Sequence, residues 1–97
     1  MHMRLEKQKA NFLKSLITEY LPKSDVYLFG SRTDSSKKGG DIDILVLADR
    51  ELTRKEKASV EFAFFQKFGE QKLDIVSFRY DEKRPFKEIA LEEAISL

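Results

Sequence analysis

Cysteine is absent from this 97-residue chain, tryptophan is absent too, and histidine occurs once. Without cysteine there can be no disulfide framework and no thiolate metal site. The one histidine, His2, lies in a Met-His-Met start of the kind an expression tag leaves, and it is given no role. Histidine-based acid/base catalysis and histidine-ligated zinc are therefore not expected. Any chemistry must come from carboxylates, hydroxyls, lysine or arginine. Charge of one sign is also lacking. The formal net charge is +1, without the basic excess of a general nucleic-acid binder, so nucleic acid is not expected as a direct ligand. No apolar run approaches the roughly 20 residues of a membrane span. The charged stretch Arg4 to Lys14 does not read as a signal peptide, and the expectation is a cytoplasmic protein.

What is present suits one domain over residues 1–97. Hydrophobic residues make up 41% and charged residues 36%, the balance of a folded domain with one modest core. Leu5, Phe12, Leu13, Leu16, Ile17, Tyr20 and Leu21 recur at helical spacing, which predicts a packing helix over 4–21 that Pro22 ends. Ser24-Asp25 predicts a turn and Val26 to Phe29 a short strand. Gly30-Ser31 stops that strand, and the small polar residues 31–40 predict a mobile loop with one helical turn near its start.

Ile42 to Leu47 is the most apolar run. Its two faces are both apolar beyond Asp43, which predicts a central strand covered on both sides. Thr53 and Glu56 match a capping box opening a helix to about Phe68, with Gly69 as its stop. On that helix Val60, Ala63, Phe64 and Phe68 cover one face, but Phe62 and Phe65 fall well round from it. Two readings follow: a broad helix packed under loop and sheet, or an exposed aromatic patch that another protein covers. Lys72 to Phe78 predicts a third strand, 79–84 a charged loop, and Pro85 the first position of a last helix with Phe86, Ile89, Ala90 and Ile95 facing inward. The order α-β-β-α-β-α predicts an α/β (α+β) domain with a small mixed sheet.

Three pieces carry chemistry. Gly30 permits close backbone approach to a ligand, and a helical turn starting at Ser31 would offer free N–H groups to an anion. Asp41 and Asp43 stand at i and i+2 of a strand, so their carboxylates point the same way about 7 Å apart and repel unless a cation lies between them. Oxygen ligands without nitrogen or sulfur suit Mg²⁺, with Mn²⁺ as the alternative. Asp74 sits between Leu73 and Ile75, where aspartate is depleted in strands, and it joins the cluster if its strand lies beside Ile42 to Leu47. Each piece alone has an ordinary reading as a turn or strand-edge residue. No Gly-x-Gly-x-x-Gly fingerprint, P-loop or EF-hand spacing is present.

Taken together, Leu28 to Val46 and Leu73 to Val76 resemble the DNA polymerase β-like nucleotidyltransferase superfamily, and the small size resembles its minimal nucleotidyltransferase (MNT) branch. The family pattern is Gly-Ser, about ten residues, Asp-x-Asp, then a later strand aspartate; here Arg32 to Gly40 is the spacer. The resemblance implies the polymerase β palm-like nucleotidyltransferase fold. It implies that Gly30 and Ser31, with Arg32, bind the triphosphate of an NTP such as ATP. It implies that Asp41 and Asp43 bind two Mg²⁺ ions, and that Asp74 is a third metal ligand and the base for an acceptor hydroxyl. The implied activity is NMP transfer to that hydroxyl. The implied partner is a HEPN-type helical protein, in the manner of a toxin–antitoxin pair, and a homo-oligomer is compatible with the sequence. The rival reading is an MNT-like module that neutralises its partner by contact, with weak catalysis or none.

Overall fold

A computed structural model describes residues 7–29, 42–69 and 72–97. The chain runs α1 (Lys7–Tyr20), β1 (Ser24–Phe29), β2 (Ile42–Ala48), α2 (Arg54–Phe68), β3 (Leu73–Arg79), α3 (Pro85–Glu93) and β4 (Ile95–Ser96). The strands form one mixed sheet in the order β3-β2-β1-β4. β1 lies antiparallel to β2, and β3 lies parallel to β2. A parallel neighbour needs a crossover, which α2 supplies.

The alternation of β2 sorts the core into two halves. Ile42, Ile44 and Val46 face α1 and α2, where they pack with Leu13, Ile17, Val60 and Phe64. Leu45 and Leu47 face the other way, against Phe78 and Ala90. Residues 44–48 are all buried, as expected for an interior strand covered on both faces. Phe64 is fully buried, and covering such a ring stabilises by roughly 1.5–3 kcal/mol.

Local chemistry sets the ends of α2. The Thr53 hydroxyl accepts from the Glu56 amide at 3.1 Å, and the Glu56 carboxylate accepts from the Thr53 amide at 2.8 Å. This reciprocal pair satisfies two of the donors that a helix start leaves open. At the other end Gly69 adopts φ 87°, which an L side chain rarely tolerates, and its N–H closes the last turn on the Phe65 carbonyl.

Several expectations need correction. Ser24 and Asp25 belong to β1, because they pair with Ala48 and Leu47 and extend the ladder. Ile95 is in β4 rather than on the last helix, since it pairs with Leu28 at the free edge of β1. Tyr20 is exposed at the end of α1. Most informative is α3. Phe86 and Ile89, expected to face inward, are 49% and 65% exposed, while Lys87 is buried at 7%. The Lys87 ammonium donates to the carbonyls of Arg79, Tyr80 and Glu82 at 3.1, 2.8 and 2.7 Å. An ammonium has three donors, and all three are used. That rotation of the helix turns Lys87 and Ala90 inward and Phe86 and Ile89 out. Phe86 still meets the Phe29 and Phe78 rings, with centroids 5.9 and 6.2 Å away. Leu5, the 31–40 loop and His2 lie outside the described residues.

Candidate functional site

The antiparallel β1–β2 pair brings the C-terminal end of β1 to the N-terminal end of β2, so Phe29 stands opposite Asp43. The parallel β2–β3 pair brings the start of β3 to the same place, so Asp43 stands opposite Asp74. Register partners share a face, and adjacent strands lie about 4.8 Å apart. Phe29, Asp43 and Asp74 therefore form one row across one end of the sheet. Two residues deeper the row is Tyr27, Leu45 and Val76, which belongs to the apolar half under α3. The carboxylates stand where the core stops: Asp43 is half-buried and Asp74 exposed.

The main-chain bond from the Ile42 amide to the Lys72 carbonyl, at 2.9 Å, continues the ladder to the edge of this row. An open cavity of about 420 Å³ adjoins it, lined by Glu61 and Phe65 of α2 and by Lys72, Leu73 and Asp74. A second cavity, of about 500 Å³, lies at the opposite end of the sheet among Tyr20, Leu21, Pro22, Lys23, Asp49 and Arg50. It is the larger, but its arginine is committed: the Arg50 guanidinium grips Glu56 through two bonds of 2.9 Å. The carboxylate row is the better candidate for chemistry.

Of the residues singled out in the sequence, Asp43 and Asp74 are brought together across β2 and β3. Gly30, Ser31, Arg32 and Asp41 lie outside the described residues. Among the described residues no three His, Cys, Asp or Glu side chains gather as a metal site. The donor set that is described fits a hard divalent cation: two carboxylates in register, all oxygen, at the rim of an apolar face. Glu61, Phe65 and Lys72 were not assigned to the site from sequence. Only Phe65 carried a signal, its position outside the packed arc of α2; Glu61 and Lys72 carried none.

The family model for the nucleotidyltransferase domain matches residues 9–97, and the chain belongs to that family. Solved structures resemble it in fold. One is from the complex of a tri-AMPylated Shewanella oneidensis HEPN toxin with an MNT antitoxin: 20% identity, 95% of this chain and 71% of that one, TM-score 0.68. Another is a toxin–antitoxin structure with AMP-PNP, at 21% identity over 90% of this chain and 70% of that one, TM-score 0.70. A third is from the MntA–HepT toxin–antitoxin complex, at 20% identity over 94% and 70%, TM-score 0.67. No functionally curated protein matches the sequence. No helix among the described residues is long and apolar enough to cross a membrane.

Proposed function

We propose that this chain is a Mg²⁺-dependent nucleotidyltransferase that moves NMP from an NTP, with ATP as the substrate, to a hydroxyl on a HEPN-type partner protein in the cytoplasm. The alignment of Asp43 with Asp74 carries the reading. Family membership supports transferase chemistry. The AMP-PNP in one structural relative and the AMPylated toxin in another support the nucleotide and the partner.

The residues divide the work as follows. Gly30, Ser31 and Arg32 follow Phe29 directly in the chain and hold the triphosphate. Asp41, Asp43 and Asp74 would hold two Mg²⁺ ions, which would supply charge neutralisation at the reacting phosphates. Asp74, at the exposed end of the row, takes the proton of the acceptor hydroxyl. The acceptor oxygen then forms a bond to the α-phosphorus. The bond from that phosphorus to the bridging oxygen breaks, and pyrophosphate leaves with the electron pair. The apolar rows behind Asp43 keep both carboxylates at the rim, where substrate can reach them.

The test is transfer from each labelled NTP with Mg²⁺, read by intact mass of the chain and of the protein encoded beside it. Asp43→Asn and Asp74→Asn are each expected to lower transfer by about 10²–10⁴-fold. EDTA is expected to abolish it, and Mn²⁺ to restore it. Undiminished labelling by either variant would overturn the assignment. A partner still neutralised with both carboxylates replaced would identify a contact-only antitoxin instead.

A further inference from the structure

Helix α2 carries two apolar stripes on nearly opposite faces. Val60 and Phe64 are fully buried in the core. Ala58, Phe62 and Phe65 lie roughly 140–200° around the helix from Val60. All three are exposed, Phe62 at 60% and Phe65 at 46%. An exposed aromatic pair at i and i+3 forms one continuous surface, since such residues are neighbours on a helix. Among the described residues this second stripe is no part of either core cluster, and it is not placed at random. Phe65 is also a wall of the cavity that reaches Asp74.

The topology says what should come to that wall. In transfer to a nucleotide's α-phosphorus, the attacking oxygen and the leaving pyrophosphate lie roughly in line on opposite sides. β1, which leads into the proposed phosphate turn, flanks β2 on one side; β3, with Asp74, flanks it on the other. The acceptor hydroxyl must therefore arrive on the β3 side. Among the described residues, a cavity on that side is walled by Phe65, Glu61, Lys72 and Leu73.

We infer that the outer stripe of α2 is the docking surface for the protein acceptor proposed above, which presents an apolar surface beside its reactive hydroxyl. This rests on the transferase reading above. A small hydroxyl compound could fill the cavity, but it would leave Phe62 and Ala58, about one and two helical turns further along, uncovered. A polypeptide covers the stripe and reaches Asp74 at once. Ala58 lets its backbone come close, while Phe62 and Phe65 supply the buried aromatic contacts that dominate binding energy at interfaces.

The experiment supplies α-labelled ATP and Mg²⁺ to the full chain with either the macromolecular or the small-molecule fraction of the source cell's extract. Label is expected in a protein, and Phe62→Ser and Ala58→Arg are expected to lower that transfer about tenfold or more, the effect of losing one interface contact of ~1.4 kcal/mol. Tyr20→Ser, an exposed aromatic near the opposite cavity, is expected to leave it unchanged. Thermal unfolding of each variant separates lost docking from lost folding. Label confined to small molecules, or protein labelling indifferent to both α2 substitutions, would overturn the docking surface while leaving the transferase standing. A wild-type chain that neither binds Mg²⁺–ATP nor labels either fraction would instead sink the transferase reading.

Discussion

Replacing Lys87 with methionine removes one ammonium and keeps most of the side chain's volume. In the folded chain that ammonium is buried and donates to three main-chain carbonyls, at 2.7–3.1 Å. A hydrogen bond to a charged group contributes about 1.5–3 kcal/mol net. Three such bonds would sum to about 4.5–9 kcal/mol, but burying the charge costs several kcal/mol and offsets much of it. The apolar replacement avoids that cost yet leaves three carbonyls short of a donor. Tyr80 and Arg79 are exposed, so water recovers part of the loss at two of them. A net destabilisation of about 2–4 kcal/mol follows, a large share of the roughly 5–15 kcal/mol that holds a small domain together. Urea unfolding reads this directly. With a slope near 1 kcal/mol/M, the midpoint should fall by about 2 M or more. Lys87→Arg should recover only part, because a planar fork cannot aim three donors around one point. A midpoint shift below about 0.5 M for Lys87→Met would refute the reasoning, since the ammonium would then contribute no more than an ordinary surface lysine.

Two further expectations use the same method. Ser77→Ala should cost about 1–3 kcal/mol, because the buried Leu52 amide donates to its hydroxyl at 2.9 Å and would be left unpaired; Ser24→Ala, whose buried hydroxyl has no partner among the described residues, should be close to neutral in the same assay. Glu56 is held at about 2 against an ordinary 4.5, first by the Arg50 guanidinium and then by the Thr53 amide. Its folded value is depressed, so its contribution is complete above pH 4.5 and is lost as pH falls through about 2; Glu56→Gln should flatten the acid limb of stability in that window, and an unchanged limb would show that the Arg50 bridge contributes nothing.

The parts of the fold that were legible in the sequence are those fixed by local or periodic chemistry. The capping box of Thr53 and Glu56, the Gly69 stop and the apolar alternation of β2 need no knowledge of distant contacts. The pairing of Asp43 with Asp74 was legible as a condition, that β3 lie beside β2, and the register supplies it. What was not legible depended on long-range partners. Nothing in Pro85 to Leu97 announces that Ile95 will pair with Leu28, because two residues have too little pattern to mark a strand. The orientation of α3 departs from the sequence expectation for a sharper reason. Hydrophobicity alone would turn Phe86 and Ile89 inward, but a three-donor cation finding three carbonyls at the end of β3 and in the loop before its own helix overrides it.

The position of the site follows from strand direction. A hairpin such as β1–β2 puts the end of one strand beside the start of the next, and a parallel crossover such as β2–α2–β3 puts two strand starts side by side. Only a strand flanked by one of each brings the end of β1, Asp43 near the head of β2 and Asp74 near the head of β3 together. Residues more than 40 positions apart, Phe29 and Asp74, thereby stand in one row. β1 and β3 flank β2 on opposite sides, and the proposed reaction assigns the phosphates to the residues that follow β1 and the acceptor to the side of β3. Phe65 and Glu61 of α2, the crossover that places β3, wall the cavity beside Asp74. The helix that completes the sheet thus also borders the cavity at Asp74.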